Sequence, residues 1–139
     1  MRGGDEDTTR SRIFEYLTIS LLSVNNYPLE RSWGLRDGLR RAGLCDPTHV
    51  ASLSEEELGS RLKRAGYDRG DFLSGLVASR LSTVAHYLTD IGWHSAATRL
   101  TEGSPAEVTA LLIQAKGVGP VVIRNFLFLR DSRDASAGG

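Results

Sequence analysis

Apolar residues in this chain recur at helical spacing, and each group of them is bracketed by residues that start or stop a helix. Asp46-Pro47 offers an N-cap followed by a first-turn proline. Ser54-Glu55-Glu56-Glu57 has the form of a capping box, and Ser104-Pro105-Ala106-Glu107 combines a cap, a first-turn proline and a capping-box glutamate. Gly43, Gly66 and Gly92 stand where the helices between them should end. No stretch alternates apolar and polar residues between turn signals. The expected fold class is therefore all-α, a compact multi-helix arrangement of about seven elements.

Phase assigns the faces. Ile13, Phe14, Leu17, Leu21 and Leu22 form a broad stripe, as a central and mostly buried helix requires. That helix should end near Asn25-Asn26, because Pro28 biases Tyr27 away from the helical region. A second helix is expected over 29–41 with Trp33 inward, then a short piece from Asp46-Pro47 and a helix from Ser54 to Gly66. A long helix over 71–88 should turn Phe72, Leu76, Val84 and Leu88 to the core. The pattern leaves 93–100 open. Val108, Leu111 and Leu112 lie on a helix reaching Lys116, and the last helix covers 121–129. One domain, 11–131, flanked by flexible segments at 1–10 and 132–139, accounts for the 139 residues. A domain of this size buries roughly two thirds of its unfolded surface.

Seventeen basic residues balance 17 acidic ones, so attraction to a polyanion has to come from a local patch. Two basic sets qualify: Arg61, Lys63, Arg64, Arg69 and Arg80, and then Lys116, Arg124, Arg130 and Arg133 around the last helix. Arg31, Arg36, Arg40 and Arg41 are scattered by helical phase. The single cysteine, Cys45, excludes an internal disulfide, and with His49, His86 and His94 irregularly spaced no metal site is expected. The start of the chain lacks a signal-peptide core and no apolar run approaches about 18 residues, so the expectation is a cytoplasmic or nucleoid-associated protein with no membrane partner.

Function is concentrated in Lys116-Gly117-Val118-Gly119-Pro120-Val121, between two apolar helices. A tight reversal needs one residue at positive φ, so a second glycine implies that the backbone must lie close to something. Helix, Lys-Gly-Val-Gly, helix is the pattern of a helix-hairpin-helix element. In it the second helix begins with unpaired amides and the positive end of its dipole, which suits a backbone phosphate. Lys116, Gly117, Val118, Gly119, Val121 and Arg124 are the expected phosphate-binding residues, with Val118 plugging the two helices together. Such contacts position a duplex without reading its sequence.

From Phe14 onward the chain resembles the helix-hairpin-helix superfamily of DNA glycosylases, in particular the endonuclease III branch. Leu21-Leu22-Ser23-Val24-Asn25 is similar to that family's helix end entering the DNA-facing loop. Ser54-Glu55-Glu56-Glu57-Leu58 followed by Arg64-Ala65-Gly66-Tyr67-Asp68-Arg69 is similar to its short helix and glycine-aromatic turn, and 115–121 to its hairpin. The resemblance implies a six-helix barrel and double-stranded DNA as partner, with Asn25, Asn26 and Tyr27 at the flipped base, where amides can pair and an aromatic can stack. It also allows a monovalent cation at the hairpin.

Catalysis is where the chain departs from that family. Bifunctional members carry a Schiff-base lysine two residues after the second hairpin glycine, and Val121 stands there, so no lyase activity is expected. The family's aspartate, counted from the same position, would fall at Gly139, which leaves Asp131 and Asp134 as the candidate acids. The iron-sulfur loop has no counterpart, and no cofactor is expected. Neither portion of the family's second helical domain has a match in this sequence, which suggests a homodimer or a partner subunit covering the surface it would occupy. The expectation is a minimal monofunctional DNA glycosylase of base excision repair, hydrolysing an N-glycosyl bond at a damaged or mismatched base. The alternative is a helix-hairpin-helix DNA-binding module or subunit that has lost the chemistry.

Overall fold

The computed structural model describes the backbone of residues 2–138 and the side chains of residues 12–132. Among these residues there are nine helices and no strand: α1 (Arg2–Leu22), α2 (Leu29–Trp33), α3 (Arg36–Arg41), α4 (Pro47–Ser52), α5 (Glu55–Ala65), α6 (Asp71–Asp90), α7 (Trp93–Glu102), α8 (Pro105–Leu112) and α9 (Pro120–Gly138). The ends expected to be flexible, 1–10 and 132–139, lie outside the described side chains except for Ser132, whose hydroxyl donates to the Phe128 carbonyl.

Helix starts follow the chain's punctuation. The Asp46 carboxylate accepts from the Thr48 amide and Pro47 occupies the first turn of α4. At α8 the capping box is complete: the Ser104 hydroxyl accepts from the Glu107 amide while the Glu107 carboxylate accepts from the Ser104 amide. At α5 only half of it forms. Ser54 caps the Glu57 amide, but the Glu57 carboxylate turns away to Arg61 and Arg64. Gly66 ends α5 in the left-handed region at φ 107°.

Two expectations require correction. The helix expected over 29–41 breaks at Gly34 and Leu35, giving α2 and α3, and the piece left open at 93–100 is helical, so the count rises to nine. Phe72 does not face the core: it is 80% exposed, and Leu76 is half-buried. Val84 and Leu88 are buried as expected, and the rest of the buried face of α6 is made by Ser74, Val77, Ala78, Leu81, Ser82 and Ala85. Small side chains there let α4 and α5 approach α6 closely, so its contact stripe is rotated away from its largest hydrophobe.

The core gathers around α1, which touches α2, α3, α6, α7 and α9, while α6 holds α4 and α5. Ile13, Phe14, Leu17, Ile19, Leu21 and Leu22 are all buried. Phe14 meets the edge of Trp93 at 5.8 Å, and Tyr16 packs on Trp33 at 6.1 Å. One carboxylate sits inside this apolar surface. Glu15, 2% exposed, is held by Arg40 through Nη2 at 3.0 Å and through Nε, with the Cys45 thiol 3.8 Å away.

Candidate functional site

The turn between α8 and α9 is built from its own backbone. The Ala115 amide donates to the Leu112 carbonyl at 3.0 Å, the Val118 amide to the Ala115 carbonyl at 3.2 Å, and Gly117 reverses the chain at φ 94°. Val118 is 6% exposed and joins Leu112, Ala115, Val122 and Ile123 in the core, so it locks the two helices to each other. From α6, the Tyr87 hydroxyl donates to the Leu111 carbonyl at 2.7 Å and fixes the end of α8.

The two glycines have different reasons for being there. Gly117 requires positive φ, and a Cβ on it would stand 2.9 Å from Cγ of Arg80. Gly119 lies outside the positive-φ set, and a Cβ on it would meet nothing within 4 Å. Neither the turn nor internal packing accounts for it. Immediately after it α9 begins, with the Ile123 amide the first to reach a carbonyl, that of Gly119 at 3.1 Å. Pro120 has no amide hydrogen, and no side chain among the described residues accepts from Val121 or Val122.

Two basic residues flank this helix start in the chain, and a third reaches the turn from α6. Lys116 and Arg124 are exposed, and the stem of Arg80 lies along Gly117. None of the three has an acidic partner among the described residues. Arg133 lies outside the described side chains, and the other members of the two basic sets are engaged elsewhere. Arg61 and Arg64 hold Glu57, Lys63 pairs with Asp71, and Arg130 is 9% exposed, donating to the carbonyls of Leu100 and Gly103. Arg130 is thus a tie between α7 and α9 and contributes nothing to a surface patch.

Arg69 has a further structural role. Its Nη1 donates to the Val24 carbonyl at 2.6 Å and its Nη2 to the Asn25 carbonyl at 2.7 Å, while the guanidinium lies 5.0 Å from the Tyr27 ring. It therefore staples the loop after α1 to the start of α6. Within that loop Asn25 and Asn26 are exposed and both left-handed, at φ 54° and 69°, a conformation asparagine tolerates better than most side chains. Tyr27 is not displayed with them. It is half-buried between Arg31 at 5.2 Å and Arg69, and meets Tyr67 edge-on at 5.0 Å. Tyr67, fully buried, donates its hydroxyl to the Leu22 carbonyl at 3.0 Å. Burial pushes its phenol above the ordinary tyrosine value.

Of the candidate acids, Asp131 lies on α9 eleven residues beyond Pro120, about 16 Å along the helix axis. Its Oδ1 accepts from Arg130 Nε at 2.9 Å and its side chain is 60% exposed. Asp134 lies outside the described side chains. The pairing of buried Glu15 with the half-exposed Arg40 escaped the sequence reading, although a lone glutamate inside the stripe of α1 was the available signal. Burial, and then the Glu15 carboxylate, push the Cys45 thiol up to about 12, so it is held as the neutral thiol.

The fold is an all-helical domain whose last two helices form a hairpin with an uncapped second helix. No protein-family model, curated protein or solved structure matches the chain.

Proposed function

We propose that this protein binds duplex DNA through its α8–α9 hairpin, as a non-catalytic helix-hairpin-helix module in a helical domain resembling the barrel of the DNA glycosylases. Gly119 carries the reading: a glycine that neither φ nor internal packing demands, at an uncapped helix start, with Lys116 and Arg124 flanking it in the chain and Arg80 against Gly117. A phosphate there accepts from the Val121 and Val122 amides and meets the helix dipole, with Arg80, Lys116 and Arg124 the basic side chains nearest in the chain or across the turn. Gly119 lets the phosphate approach without a side chain in the way.

The loop of Asn25 and Asn26 gives this duplex a second contact. It is held at the start of α6 by Arg69, while the hairpin abuts Arg80 nine residues into the helix, about 13 Å further along its axis. That axial separation equals about four base steps of about 3.4 Å each. The position of Asp131, exposed, ion-paired and distant from the hairpin, favours the module over the glycosylase.

Equilibrium binding of a labelled duplex over a range of salt tests this. Binding should weaken with a log-log slope of about 0.9 per phosphate contacted, and Arg80→Gln, Lys116→Gln and Arg124→Gln should each reduce that slope. Salt-independent binding, or none, contradicts the proposal. Duplexes carrying uracil, oxidised, mismatched and abasic sites go into the same experiment. Alkali-revealed breaks that disappear in Asp131→Asn or Asp134→Asn would replace the module with the monofunctional glycosylase.

A further inference from the structure

A second concave surface lies between α3 and α5, apart from the hairpin and from the Asn25 loop. It is a cleft of about 510 Å³. Its floor is set by Gly38 and Ala65, where the two helices come so close that a Cβ on Gly38 would stand 2.6 Å from the Ala65 carbonyl oxygen. Arg41, Arg61 and Arg64 line it, with Asp37 the one carboxylate among the lining side chains. Asp37 is 75% exposed and lies 3.7 Å from Arg40, whose guanidinium also holds Glu15.

The arginines are held to different degrees. Arg61 is fixed on several sides: Nε donates to Glu57 at 2.9 Å, and Nη1 donates to the Ala42 carbonyl at 2.9 Å and to His49 Nε2 at 3.1 Å. Its Nη2 has no partner among the described residues. Arg64 gives only Nη2 to Glu57, at 3.1 Å, and Arg41 is exposed with no partner among the described residues. A pre-positioned guanidinium thus stands beside two adjustable ones, all with donors to spare. Planar forks of this type match the oxygens of a phosphate. The Glu57 carboxylate behind Arg61 and Arg64 holds them in place, and its own affinity for protons is lowered first by the Arg61 hydrogen bond.

We infer that the α3–α5 cleft is a phosphate-binding site, of a size for a ligand the scale of a mononucleotide. The phosphate is that of a free phosphorylated molecule or of a nucleic-acid backbone, and the two sources are separable. The inference does not depend on the hairpin: each site has its own reporters, the amides of Gly38, Ala42 and Ala65 here and those of Val121 and Val122 there.

The test is an amide NMR titration of the full chain with AMP, with adenosine as the control lacking phosphate, and separately with a short duplex. Arg41 and Arg64 are exposed, so the double variant Arg41→Gln, Arg64→Gln keeps the fold. The expected result is that AMP shifts the Gly38, Ala42 and Ala65 amides while adenosine leaves them in place, and that the double variant binds AMP at least about fivefold more weakly. If the duplex moves these amides and AMP does not, the phosphate belongs to a nucleic-acid backbone, and the double variant must then lose that shift. Neither probe moving them, adenosine moving them as AMP does, or equal binding by the double variant overturns the inference.

Discussion

Gly117 and Gly119 stand two residues apart and should respond to substitution in opposite ways. At Gly117 an alanine must adopt φ 94° with its Cβ 2.9 Å from Arg80 Cγ. Gly117→Ala should therefore lower stability by about 1–2 kcal/mol, measured by urea denaturation. At Gly119 the added carbon meets nothing, so the fold should hold. Cys45 makes a second prediction from burial. Its thiol is raised from an ordinary value of 9.0 to about 12, so between these values the folded state keeps a proton that the unfolded chain releases. The contribution is fully present below about pH 9 and is lost as pH rises toward 12. Urea midpoints should fall across that window, with a shallower fall in Cys45→Ala. A parallel slope in the variant would mean that other groups govern alkaline unfolding.

Among the elements, Arg69 does more than its charge suggested. It was legible as one of a basic set; that it points inward to two carbonyls was not, because the loop that needs it lies 44 residues earlier. Arg69→Gln should cost about 1.5–3 kcal/mol and speed amide exchange at Asn25 and Asn26 while leaving the hairpin amides protected. Unchanged exchange at the loop would show that the staple is dispensable. Helix starts were readable because caps are local: Asp46, Ser54 and Ser104 all bond backbone within three residues. Faces were less readable. On α6 the core side is marked by Ser74, Ala78, Ser82 and Ala85, which carry little hydrophobic signal, while Phe72 carries the strongest and is exposed. The break at Gly34 and Leu35 was not legible either, nor that Arg41 on the helix after it lines a cleft with Arg61 and Arg64.

In the whole molecule, the all-helical class and the burial of α1 over 13–22 were legible, since both follow from periodicity. The pairing of distant charges, Glu15 with Arg40 and Arg130 with the end of α7, was not, because it depends on which helices cross. The hairpin lies between these extremes. Its turn was written in the sequence, but the difference between its glycines appears only when the neighbours of each are known. On the proposed reading a neutral chain must grip a polyanion locally, through Arg80, Lys116 and Arg124, which have no acidic partner among the described residues. The most direct measurement is duplex affinity at fixed salt for the protein and for Gly119→Val, with urea stability recorded alongside. We expect stability close to that of the parent and affinity at least about tenfold weaker, roughly 1.4 kcal/mol, because the methyls occupy the phosphate's place. Equal affinity at equal stability would contradict phosphate binding at the hairpin.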